Sequence, residues 1–131
     1  MRRRFDKDGN FQDSHAEYPD IVRAVAAAKK VALIDMHRQS EMIIKQYGVE
    51  ASRKLFLQLK PDENPNYPRG VEDNTHFSPL GAGIMASLAV DGIREQKLGL
   101  AKDLSVNNWK IDNLKQIGGS VANHDRPAQS H

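Results

Sequence analysis

Cysteine is absent from this 131-residue chain, which excludes a disulfide framework and any thiolate metal site. Aromatic residues make up only 6% of it, and the mean hydropathy of −0.63 is distinctly polar. No apolar run approaches the roughly 18–20 residues that cross a bilayer, so no membrane partner is expected. An excess of one charge is missing too: 19 basic against 17 acidic residues leave +2, too little to argue for nucleic acid. The basic residues are dispersed apart from Arg2-Arg3-Arg4. That run has a phosphate-binding reading, but it reads better as the end of a strand entering a solvated turn. There is no internal repeat and no phosphate-binding glycine motif. Met1 leads straight into arginines, without the apolar segment of a signal peptide. If the sequence is a piece of a longer one, that feature carries no information about targeting.

What remains is one domain's length, enough to bury a core, organised around Asp73-Asn74-Thr75-His76-Phe77-Ser78-Pro79-Leu80-Gly81-Ala82. Ser78 suits a helix N-cap, and Pro79 suits the first helical position, where no backbone N–H is needed. Leu80, Ile84 and Leu88 recur at helical spacing, widened by Met85, Ala89 and Ile93. Asp73 and His76 are therefore expected on a loop pinned by a buried helix. An imidazole can take a proton from a hydroxyl and return it to a leaving group, while a carboxylate on its other nitrogen fixes the tautomer. Spacing alone leaves a second reading open, in which Asp73 caps a turn and His76 is an ordinary loop histidine.

The block Asp73 to Ser78, followed by Gly81-Ala82, resembles the last conserved block of the SGNH (GDSL-type) ester hydrolases. In particular it is similar to their rhamnogalacturonan acetylesterase branch. The resemblance extends through Arg2 to Phe5, Tyr18-Pro19-Asp20, Leu33 to His37, Lys54 to Leu57 and Asn64 to Pro68, and so covers about residues 1–104. It implies an α/β class, part of a three-layer α/β/α (flavodoxin-like) sandwich, helix-rich and with one short parallel strand in this chain. It further implies that Asp73 and His76 are two of three catalytic residues, in an enzyme that deacetylates pectic or related polysaccharide without a cofactor. A periplasmic or secreted location is expected from the family. The family's Gly-Asp-Ser nucleophile block, and its glycine and asparagine for the oxyanion hole, have no counterpart here. A chain without a nucleophile is expected to be inert alone, its partner being a missing N-terminal half or a second copy in a homodimer. A reading from another class is a non-catalytic truncated chain that oligomerises or binds carbohydrate.

Along the chain, Asp8-Gly9 marks a turn with short arms near 3–5 and 11–13. Helices are expected over 19–30, from Asp35 to Tyr47 with Gly48 as stop, over 50–57, and over 79–96. Ile21, Val22, Val25 and Ala28 form the first helix's apolar stripe, and Val31 to Ile34 read as a buried parallel strand. Residues 60–75, with Pro61, Pro65 and Pro68, read as a long loop that forms a groove wall. Asn64, Asn66 and Tyr67 there suit sugar hydroxyls and stacking, and equally suit satisfying loop backbone. No metal site is expected: His15, His37 and His76 with Asp35 lack metal-binding helical spacing, and His37 reads as a loop histidine. The domain is expected to end near 104, with an extension over 105–131 that is mobile from about 118.

Overall fold

The computed structural model describes residues 1–104; the extension over 105–131 lies outside them. Asp6 builds the first turn by accepting from the amides of Asp8 at 2.9 Å and Asn10 at 2.8 Å, with Gly9 at φ +83°. The arms reduce to one antiparallel bridge, Phe5 to Phe11, with the two rings edge to face at 5.8 Å.

Helix α1 spans Tyr18–Lys29. It ends because Lys30 turns left-handed and its N–H caps the carbonyls of Ala26 and Ala27. The expected stripe is not buried. Ala26 packs inward, whereas Ile21, Val22 and Val25 each stay about half exposed. Val31 to Ile34 also depart from expectation. They form no regular element and belong to no ladder, and Val31 is 59% exposed. A parallel strand needs a hydrogen-bonding neighbour, and among the described residues none lies beside this run. Ile34 instead packs on a later helix at Gly92, where a Cβ would stand 2.5 Å from its Cγ2.

Helix α2 spans Met36–Ala51, capped by Asp35, which accepts from the Arg38 amide at 3.0 Å. Gly48, at φ 70° and ψ −174°, breaks the helix where a stop was expected, and a short second helical segment continues to Ala51. The expected helix over 50–57 is divided differently. A 3₁₀ turn at Ser52–Leu55 leads into strand β1, Phe56–Leu59. Strand β2, Val71–Phe77, pairs with β1 antiparallel, so the long loop shrinks to residues 60–70. Gly70, at φ +73°, closes it against the Leu59 carbonyl, 2.6 Å from where a Cβ would be. Ser78 then caps α3, Pro79–Glu95, by accepting from the Gly81 amide at 3.1 Å. A 3₁₀ turn at Gly99–Asp103 follows.

The class is α/β and helix-rich, with the two described strands antiparallel. The core is Ile44, Leu55, Phe56 and Ile84, joined by Phe77, Leu80 and Met85. It packs α2 and α3 against β1 and holds the end of β2 in place. Among the described residues no helix is long and apolar enough to cross a membrane.

Candidate active site

Asp73 and His76 lie on β2 and not on a free loop, yet they do not follow its pleat. Phe56 pairs with Phe77 and Gln58 with Glu72, so an advance of two residues on β1 is matched by five on β2. The surplus bulges out between Glu72 and Phe77. Bulges re-aim side chains, and this one brings positions three apart onto one side. Asp73 Oδ2 lies 2.6 Å from His76 Nδ1, while Oδ1 accepts from the amides of Thr75 at 2.6 Å and His76 at 3.0 Å. The backbone and ring N–H bonds from His76, with that from Thr75, hold the Asp73 carboxyl at about 2. A carboxylate on Nδ1 leaves Nε2 as the nitrogen that can exchange a proton with a third group. The His76 side chain is 77% exposed and open to such a group.

The bulge is held from four directions. Gln58 Nε2 donates to the Asp73 carbonyl at 2.7 Å, and Gln58 is in turn bonded by Arg53, which also pairs with Glu72 at 3.0 Å. On the other edge the Arg3 amide donates to the Asn74 carbonyl at 2.9 Å. The Arg3 guanidinium reaches Asn74 Oδ1 at 3.0 Å, Ser52 Oγ at 2.9 Å and the Val49 carbonyl. Burial and the nearby Arg53 lower the Arg3 pKa. At the C-terminal end the Ser78 hydroxyl donates to the Lys54 carbonyl at 2.6 Å. Gly81 lets α3 approach so closely that a Cβ would meet the Leu55 carbonyl oxygen at 2.0 Å. Sequence reasoning missed Gln58 and Arg3 as supports. The arginine run was visible in the sequence, but nothing there marked its middle member as the one turned inward.

Asn64, Asn66 and Tyr67 sit in the connection between β1 and β2. Asn64 Oδ1 accepts from the Asn66 amide at 2.9 Å and its carbonyl from the Tyr67 amide at 2.8 Å, so Asn64 is engaged within the loop. The side chains of Asn66 and Tyr67 face solvent. A polar recess of about 490 Å³ is lined by Arg2, Arg3, Arg4, Phe5 and Asn74, beside the bulge. A second cleft of about 450 Å³ runs between α1, the start of α2 and Phe77 with Met85.

The structure brings His15 and His37 together, but with Asp13 and apart from His76. His37 lies in the first turn of α2, not in a loop. Asp13 Oδ1 is 2.7 Å from His15 Nδ1, and Asp13 Oδ2 is 3.2 Å from His37 Nε2. Burial raises the Asp13 carboxyl, but the bonds from His15 and the approach of His37 outweigh it and hold it at about 2. Asp35 caps α2 and pairs with Arg23 at 2.7 Å, which lowers its pKa.

The chain is 44% identical over 104 residues to the rhamnogalacturonan acetylesterase RhgT of Bacillus subtilis (strain 168), covering 79% of this chain and 45% of that protein. It is 29% identical over 98 residues to the probable rhamnogalacturonan acetylesterase YesY of the same organism, covering 75% of this chain and 41% of that one. The chain thus spans less than half the length of these relatives. No family model matches it, and no solved structure does.

Proposed function

From a chain that belongs with the rhamnogalacturonan acetylesterases of the SGNH type, over less than half their length, we propose the acid–base part of a serine ester hydrolase. Its substrate is an acetylated pectic polysaccharide. The observation that carries the reading is the Asp73–His76 contact of 2.6 Å, built by a bulge and leaving Nε2 exposed.

Nε2 of His76 takes the proton of a serine hydroxyl as its oxygen attacks the acetyl carbonyl carbon. The imidazolium that forms is stabilised by Asp73, which stays ionised. Collapse of the tetrahedral intermediate breaks the ester bond, and the proton passes from Nε2 to the departing sugar oxygen. Water then attacks the acyl-serine, with Nε2 again accepting its proton; collapse breaks the bond to the serine oxygen, which takes that proton back from Nε2 as acetate is released. In this reading the serine and the oxyanion donors are supplied from outside these 131 residues. Arg2 and Arg4, exposed around the recess beside Asn74, favour a polymer bearing uronic carboxylates. Asn66 and Tyr67 supply a hydroxyl partner and a stacking face on the β1–β2 connection.

The test is a chimera in which residues 1–104 replace the matching segment of RhgT. Release of acetate from acetylated rhamnogalacturonan is expected, reduced at least about 10³-fold by His76→Ala and by Asp73→Asn. Undiminished turnover in the His76→Ala chimera would sink the reading. The unfused chain, mixed with an activated acetyl ester, should give no stoichiometric acyl burst.

A further inference from the structure

We propose that Asp13, His15 and His37 form a binding site for a divalent transition metal such as Zn²⁺, separate from the Asp73–His76 pair. One ligand atom from each of the three lies within 4.8 Å of the others. Ligands about 2.0–2.2 Å from a tetrahedral ion stand ~3.4 Å apart, so the three need only small shifts to enclose one. Two imidazoles and a carboxylate are a usual donor set for zinc, and three protein ligands leave a fourth position open towards the cleft.

Three further observations favour an ion here. First, His37 Nε2 is buried without a hydrogen-bond partner: the Asp13 oxygen 3.2 Å away is close enough to pair but lies off the axis of a hydrogen bond. A buried polar atom left so is costly, and a metal would satisfy it. Second, the His15 and His37 rings stand edge to face with centroids 5.0 Å apart. The two imidazoles therefore already converge on the same carboxylate. Third, the surrounding charge suits a dication. Arg23 is held by Asp20 at 2.6 Å and Asp35 at 2.7 Å; with Asp13 this makes three carboxylates against one guanidinium, a net −2 when the imidazoles are neutral.

One contact must yield. Arg23 Nη2 stands 3.4 Å from His37 Nδ1, whereas metal on Nε2 requires the proton on Nδ1. That distance is at the outer limit of hydrogen bonding, and Arg23 keeps both its carboxylates when it lets go. Sequence spacing concealed the set because the three residues come from the segment before α1 and from the first turn of α2. The Arg23–Asp35 pair ties α1 to the start of α2 beside them.

The 131-residue chain, titrated with ZnCl₂ in a calorimeter, should bind one equivalent. Nitrogen NMR of the imidazoles should show the zinc-dependent shifts at His15 and His37. Shifts confined to His76, His124 or His131 would overturn the proposal, and so would no binding at all. Co²⁺ in place of zinc should give the visible bands of a four-coordinate ion, lost in His15→Ala. Affinity for zinc is expected to fall at least tenfold in His15→Ala and Asp13→Ala and to be unchanged in His76→Ala. Equal affinity in the His15→Ala/His37→Ala double variant would also overturn it. None of these readouts depends on ester hydrolysis.

Discussion

The Asp73 carboxylate accepts three hydrogen bonds from two residues within three positions of it. Each favours the charged form, which is why its pKa falls from 3.8 to about 2. A depressed folded-state value means that the contribution of these bonds is complete above the unfolded value and is lost as pH falls towards 2. The Thr75 and His76 amide resonances are therefore expected to titrate together with a midpoint near 2. A midpoint near 4 in the NMR titration would show that the turn does not hold the carboxylate as described. Asp73→Asn should abolish the transition altogether.

At the scale of elements, the site depends on how α3 is seated against the 3₁₀ turn before β1. Ser78 carries two bonds there, one capping Gly81 and one reaching the Lys54 carbonyl. Ser78→Ala is expected to cost about 1–2 kcal/mol of unfolding free energy, measured by urea denaturation. Gly81 is the tighter constraint, because its missing Cβ would fall 2.0 Å from a backbone oxygen that has little room to move. Gly81→Ala should cost about 3 kcal/mol or more, as overpacking does at its upper end. Gly99→Ala, where nothing lies within 4 Å of the added carbon, should change stability by less than about 0.5 kcal/mol. Similar losses at both glycines would contradict the close seating of α3.

For the whole molecule, the imbalance lies on α1 and the run that follows it. Tyr18 is 70% exposed, and Ile21, Val22, Val25 and Val31 are each half exposed or more. Neighbouring apolar side chains left in water drive association. In light scattering behind a sizing column, the chain's mass is expected to exceed 14.7 kDa and to rise with concentration. Ile21→Lys/Val25→Lys should return it to that of a monomer. A constant monomer mass at every loading would show that the exposed face is tolerated.

Much of the molecule was legible locally. Helix starts at Asp35 and Ser78, the Asp8-Gly9 turn and the closeness of Asp73 to His76 all rest on hydrogen bonds within four positions. Such bonds form wherever the backbone permits, so residue type and spacing suffice to expect them. What spacing could not show depends on partners distant in the chain. Val31 to Ile34 have the composition of a buried strand, but a ladder exists only where another strand is present, and Ile34 found Gly92 instead. Val71 to Phe77 have a loop's composition yet pair with Phe56 to Leu59. The same pairing, three residues out of step, raises the bulge that turns His76 outward. The supports Gln58 and Arg3, and the meeting of Asp13 with His15 and His37, likewise arise from elements brought together by the Ile44–Leu55–Phe56–Ile84 core and the Arg23–Asp35 pair. Local chemistry determined which residues can act, and tertiary packing decided which of them face one another, because burial and charge pairing act between side chains without regard to their order along the chain.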